Sequence, residues 1–172
     1  MNTLEHAGVR KVVATLAEAG LTASADGVRV LDDEVRTAAL AADALGVEVG
    51  AIANSLVFKA VHADGSVTPL LAMTSGAHKA DLAILAELAG ARRIARADAE
   101  FVREHTGQAI GGVAPVGHPA PINTLVDTYL TRHPLLWAAA GHPKTVFPIT
   151  YDELVRLTSG TAADLAGEET TA

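Results

Sequence analysis

The sequence contains no cysteine. Disulfides, thiolate metal sites and a cysteine nucleophile are therefore excluded. Basic residues are in the minority: 13 Lys and Arg stand against 20 Asp and Glu, a formal net charge of −7. That balance argues against coating nucleic acid by charge alone, though it leaves room for a local basic patch. No apolar run approaches membrane-spanning length. The opening "MNTLEHAGVRK" is charged and has no apolar signal region behind it, so a soluble, cytoplasmic protein is expected. The seven histidines, at positions 6, 62, 78, 105, 118, 133 and 142, include no pair at i, i+3 or i+4, and no Glu-x-x-His occurs. A metal is not expected. The Gly-x-Ser-x-Gly elbow of serine hydrolases is also missing.

What is present is aliphatic. Nearly half of the 172 residues are apolar, 49% by count, and Ala, Leu and Val dominate. The length suits one domain spanning residues 1–172 with a single core. Periodicity predicts helices over 3–19, 38–45 (capped by Thr37 and stopped by Gly46), around 80–89 and over 99–105 (capped by Asp98). A further helical turn is expected around 49–54. "TYDE" at 150–153 has the form of a capping box and should start a last helix through Leu157. Strands are expected at 28–31, 55–62, 67–74, within "RRIAR", and at 122–126, 135–140 and 144–149. "ADGS" between two of these apolar runs signals a hairpin. Residues 161–172 read as a short final element and a frayed acidic tail. The order, helices and a hairpin followed by a run of strands, indicates α+β with a strongly twisted mixed sheet.

Two features carry chemistry. In strand 55–62, Val57, Lys59 and Val61 share one face, and both faces are apolar. Lysine is rarely buried alone. Lys59 either snorkels out at the strand's end or projects into a cavity, where it would meet an anion or a polarised carbonyl. The second feature is "IGGVAPVGHPAP", 110–121. Its spacing is neither that of a P-loop nor that of a dinucleotide fingerprint. The N–H groups of Gly111, Gly112, Val113 and Ala114 could point at one ligand oxygen, held stiff by Pro115, Pro119 and Pro121, as in an oxyanion site. The same composition also fits an ordinary tight connection between strands. A β-branched side chain at Gly112 is expected to block a carbonyl's approach while the fold stays intact. His118 follows directly on the loop and is the one histidine placed near a pocket. Ser75 and Gly76, in "TSGAH", line a cleft or simply end a strand. Arg92, Arg93, Arg96 and Arg103 form either a basic patch or a solvated face.

The segments "LGVEVGAIANSLVFK" (45–59), "MTSGAHKADLAILAELAGARRIARAD" (73–98), "TGQAIGGVAPVGHP" (106–119) and "WAAAGHPKTVFPITYDELVRLTSG" (137–160) resemble the YbaK/EbsC family of aminoacyl-tRNA deacylases. These are free-standing trans-editing proteins related to the editing insertion of bacterial prolyl-tRNA synthetases. The resemblance covers most of the chain and is most specific in "NSLVFK" and "IGGVAPVGH". It implies a barrel-like mixed sheet surrounded by helices. It also implies hydrolysis of the ester joining a wrong amino acid to the 3′-terminal ribose of a tRNA, with neither metal nor cofactor and no covalent enzyme intermediate. It puts the functional lysine on Lys59 and the glycine loop on Gly111 and Gly112, with Pro115, Gly117 and His118 continuing the motif. The partner implied is the acceptor end of aminoacyl-tRNA, and a synthetase partner stays open. The local charge pattern, not the resemblance, makes Arg92, Arg93, Arg96 and Arg103 the candidate patch for the tRNA, and neither DNA nor a membrane is an expected partner. A small apolar pocket wall of Val57, Val61, Ala72 and Ala114 would suit Ala, Ser, Cys or Thr. The competing reading is a non-catalytic module that holds a nucleotide-like ligand, a tRNA or a synthetase through the same loop.

Overall fold

The computed structural model describes residues 3–166. Eight strands form one mixed sheet in the order β1-β7-β6-β2-β3-β5-β8, an open path, with β4 pairing β2 off that path. The strands are β1 (Arg29–Val30), β2 (Ile52–Val61), β3 (Val67–Ser75), β4 (Arg93–Arg96), β5 (Asn123–Asp127), β6 (Leu136–Ala139), β7 (Thr145–Ile149) and β8 (Thr161–Ala163). Six helices accompany them: α1 (Ala7–Glu18), α2 (Thr22–Asp26), α3 (Ala38–Leu45), α4 (Leu82–Ala89), α5 (Ala99–Thr106) and α6 (Tyr151–Thr158). The mixed α/β architecture expected from the sequence is the one observed. The terminal element is β8, and residues 167–172 of the expected tail lie outside the described residues. Among the described residues no helix is long and apolar enough to cross a membrane.

Local chemistry sets most boundaries. Thr37 Oγ1 accepts from the N–H of Leu40, and Asp98 Oδ1 accepts from that of Phe101. Thr150 and Glu153 form the reciprocal capping box of α6. The hairpin joins β2 to β3 in antiparallel register from Ala53↔Ser75 to Val61↔Val67. Two helix boundaries differ from expectation, and α2 and a 3-10 turn over Thr128–Arg132 match no expected element. The first helix is broken at His6, whose Nδ1 accepts from the N–H of Gly8 and caps α1 after a short 3-10 turn, Thr3–Glu5. The helical turn after α3 ends at Ala51, because Ile52 and Ala53 pair in parallel with Trp137 and Ala138. That distant pairing makes them strand.

The apolar run in β3 alternates between two cores, as a strand covered on both faces must. Leu71 and Met73 pack with Val12, Leu16, Phe147 and Leu154 of α1, β7 and α6. Leu70 and Ala72 pack with Leu85 of α4 and Ile94 of β4. A third, smaller cluster seats α3 through Ala41 and Ala42 on Ile52, Trp137 and Val146.

Candidate active site

The sheet itself opens the site. On its edge away from β3, β2 is covered by β6 at Ile52–Ala53 and by β4 at Phe58–Val61. Residues 54–57 lie between and have no strand partner on that edge. Backbone groups in a strand point alternately to its two edges, so part of the main chain of 54–57 faces the gap. A cavity of about 620 Å³ occupies this place. Its walls include Asn54, Ser55 and Val57 of β2, Arg36 and Ala38 at the start of α3, and Trp137 and Thr145 of β6 and β7. Ile110, Gly111 and Val113 of the glycine loop and Arg96 at the end of β4 complete it. No Asp, Glu or His is among the lining residues.

The loop's four N–H groups divide into two pairs. Gly112 donates to the carbonyl of Ala109 and Ala114 donates to Gln108 Oε1, so neither is free for a ligand. Those of Gly111 and Val113 have no hydrogen-bond acceptor among the described residues, and both residues line the cavity. Gly111 has φ +96°, which only glycine adopts without strain, and a Cβ there would stand 2.7 Å from Arg36 Nη1. Arg36 lies across this bend, donating from Nη1 to the carbonyl of Ile110 at 3.0 Å and pairing through Nε with Glu34 at 3.1 Å. Gly112 is needed for another reason than the one expected from sequence. A Cβ on it would lie 2.6 Å from the backbone of His142 and Pro143, so it permits two loops to touch and does not itself line the cavity.

Gln108 holds the loop from inside. It is 4% exposed, and its Nε2 donates to the carbonyl of Val116 at 3.1 Å while Oε1 accepts from Ala114. His118 is a second staple: one ring nitrogen, Nε2, lies 2.8 Å from the carbonyl of Ala114 and so carries the proton. Burial pushes the His118 imidazole below its usual 6.5; the bond to Ala114 opposes this and Lys11 adds to it. Its folded value therefore lies below its unfolded one. The unfolded chain takes up the proton first as pH falls, so the stabilisation is full above about 6.5 and fades through the folded value. His142 is lowered as well, chiefly by burial, and acts in the same direction. The melting temperature is expected to fall from about pH 7 to about pH 5, with a shallower slope in His118→Gln; an identical slope would assign the effect elsewhere.

Several sequence-predicted residues stand outside the cavity. Lys59 does not line it: β4 covers that edge through the pair Lys59↔Ala95, and the half-buried ammonium sits 5.2 Å from the centroid of the Phe101 ring. Ser75 is fully buried and donates from Oγ to the carbonyl of Gly50 at 2.8 Å, while Gly76 packs against Val49 and Ala38. Ala72 and Ala114 are core residues with no exposure, Pro115 is buried, Gly117 packs on Val12, and Val61 pairs with Val67 and Arg93. Val57, Gly111 and Val113 do line the cavity. Of the four exposed arginines only Arg96 reaches it; Arg92, Arg93 and Arg103 do not. Sequence reasoning missed Arg36, Asn54 and Gln108. For Arg36 and Gln108 no local signal exists, since their partners lie 74 and 8 residues away.

A cluster away from the cavity also escaped notice. His78, Asp127 and Asp164 bring potential ligand atoms within 4.8 Å of one another. The fully buried Asp127 carboxylate accepts from His78 Nδ1 at 2.9 Å, from the N–H of Ser75 at 3.2 Å and from that of Tyr129 at 3.1 Å. With those donors in place it ties the end of β3 to β5.

The profile described as "Aminoacyl-tRNA editing domain" matches residues 32–157, which include β2, the glycine loop and every wall of the cavity. The chain belongs to this family. A crystal structure of a proposed trans-editing enzyme for prolyl tRNA synthetase is similar at 39% identity and TM-score 0.82, over 94% of this chain and 98% of that one. A scaffold protein from work on computational epitope grafting is similar at 35% identity and TM-score 0.82, over 95% and 99%. Hypothetical protein APE2540 is similar at 28% identity and TM-score 0.78, over 90% and 98%. In this editing domain α1 lies before the matched segment, yet its Val12 braces Gly117 at the loop's far end.

Proposed function

We propose that the protein hydrolyses, in trans, the ester joining a small amino acid (Ala, Ser, Cys or Thr) to the 3′-terminal ribose of a tRNA. One observation carries this reading: Gly111 and Val113, whose N–H groups have no acceptor among the described residues, line a cavity whose other wall is the unpaired stretch of β2. An ester carbonyl directed at these donors gains negative charge during attack. Fixed dipoles stabilise it without reorganising, and each such donor lowers the barrier by about 3 kcal/mol. Arg36 and Arg96 at the rim meet the terminal phosphate. Asn54 and Ser55 take the polar atoms of the aminoacyl-ribose, and Val57 and Ala38 limit the side chain. Pocket size separates amino acids differing by a methylene by only about 1–3 kcal/mol, so a few substrates should be accepted.

With no carboxylate or imidazole in the lining, the nucleophile is a water held by main-chain carbonyls and the tRNA 2′-hydroxyl. For a cysteinyl ester it is the substrate's own thiol. The same lack of a titratable base is what favours the second reading, a non-catalytic module for tRNA or a synthetase.

Offering Ala-, Ser-, Cys-, Thr- and Pro-charged tRNAs to the protein separates the two. Release of one or two small amino acids is expected, with affinity falling as salt rises; binding with every ester retained supports the module. Asn54→Ala should lose about 100-fold in kcat/KM, chiefly through KM. Lys59→Ala should stay within a few-fold, because the Lys59 ammonium is outside the cavity. The reverse ranking would move the reaction centre away from residues 54–57.

A further inference from the structure

Thr74 is 1% exposed, and its Oγ1 is the buried side-chain polar atom without a hydrogen-bond partner among the described residues. Such a group weakens a fold, because it has given up water and gained nothing. Valine has nearly the same shape and suits a strand at least as well. The hydroxyl therefore needs an explanation.

Its position supplies one. Thr74 lies directly opposite Asn54 in the antiparallel pairing of β2 and β3. Opposed residues share a face, with Cβ atoms about 5 Å apart. Asn54 lines the cavity, and its side-chain amide makes no hydrogen bond among the described residues either. Two adjacent polar side chains are thus both unspent, one sealed beneath and one facing the ligand space. The remaining polar lining offers donors, the N–H groups of Gly111 and Val113 and the guanidinium groups of Arg36 and Arg96, and three hydroxyls already engaged: Ser55 with Met73 Sδ, Thr145 with the His142 carbonyl and Thr37 with the N–H of Leu40. No carboxylate or imidazole is there to receive a ligand's hydrogen.

Resting on the deacylase reading, we infer that Thr74 is a positioning residue. When substrate binds, its Oγ1 receives one hydrogen of the Asn54 amide, a bond that the free protein does not make, and turns Asn54 Oδ1 toward the ligand. That oxygen then accepts from an N–H or O–H of the bound aminoacyl-ribose, the α-amine or a hydroxyl. Thr74 touches no ligand; it fixes which end of the Asn54 amide does.

The test compares Thr74→Val and Thr74→Ser in wild-type and Asn54→Ala backgrounds, with the aminoacyl-tRNA that the wild-type protein cleaves. Thr74→Val should melt at or above the wild-type temperature while KM rises about tenfold and kcat changes little. Thr74→Ser should restore KM. In the Asn54→Ala background Thr74→Val should add nothing, since the two residues act as one unit. Wild-type kinetics in Thr74→Val, failure of Thr74→Ser to restore KM, or additive effects would each overturn the inference while leaving the deacylase reading in place. Absence of turnover by the wild-type protein on every charged tRNA would remove both.

Discussion

Gly112→Val is expected to abolish turnover and to lower the melting temperature. A Cβ at this position meets main chain, at 2.6 Å from the carbonyl carbon of His142 and the nitrogen of Pro143. A flexible side chain could step aside, but two backbones can only separate. Gly112 is buried, and its N–H is committed to Ala109. Moving the residue therefore drags Gly111 and Val113 with it and turns their N–H groups off target. Overpacking of this kind costs about 3 kcal/mol of stability, and losing one aimed donor costs about 100-fold in rate. Gly112→Ala carries the same Cβ and should show most of both effects. Initial rates on a cleaved aminoacyl-tRNA, with melting followed by circular dichroism, check this. A Gly112→Ala protein with unchanged rate and melting would mean that the loops part freely and that their contact does not hold the donors.

The second large effect is expected from Gln108→Leu. This side chain spans the two limbs of the glycine loop, accepting from Ala114 at 2.7 Å and donating to Val116 at 3.1 Å. Leucine fills a similar volume and makes neither bond. A buried N–H and a buried carbonyl are then left without partners, at about 1–3 kcal/mol each. Thr106 fixes the backbone of Gln108 itself: its Oγ1 accepts from the Gln108 N–H at 3.0 Å and shares its one hydrogen between the carbonyls of Val102, at 2.6 Å, and Gln108, at 3.1 Å. The turn at the end of α5 should therefore survive, and the loss should concentrate in the loop. Faster amide exchange at residues 111–117 than in β2 or β3, together with a fall in kcat, is the expected result. Uniform loosening of the whole chain would instead assign Gln108 to the core at large.

Much of the fold was readable one segment at a time. Thr37, Asp98 and the Thr150–Glu153 pair announced their helices because a cap is a contact between residues three apart. The hairpin was legible because Asp64 and Gly65 make its turn locally. What stayed hidden needed distant partners. Alternation correctly put Lys59 on the same face of β2 as Val57, but a face is not a position along the strand. The cavity ends where β4 begins to cover the edge, and the register Lys59↔Ala95 is written nowhere near Lys59. The glycine loop looked like a row of equivalent donors. Gln108 takes one and Ala109 another, leaving alternate groups for the site. His78 and Asp127 stand 49 residues apart and meet only once β3 and β5 are paired in parallel.

The uncovered stretch of β2 has one more implication. At residues 54–57 the groups offered along the open edge belong to the peptide chain itself, and peptide groups survive any substitution except one that removes the N–H. On the proposed deacylase reading, replacing Val57 or Leu56 would reshape the room left for an acyl chain while the grip on the polar frame of the ester persists. Such a pocket could change its preferred amino acid in small steps and keep its hold on the ester.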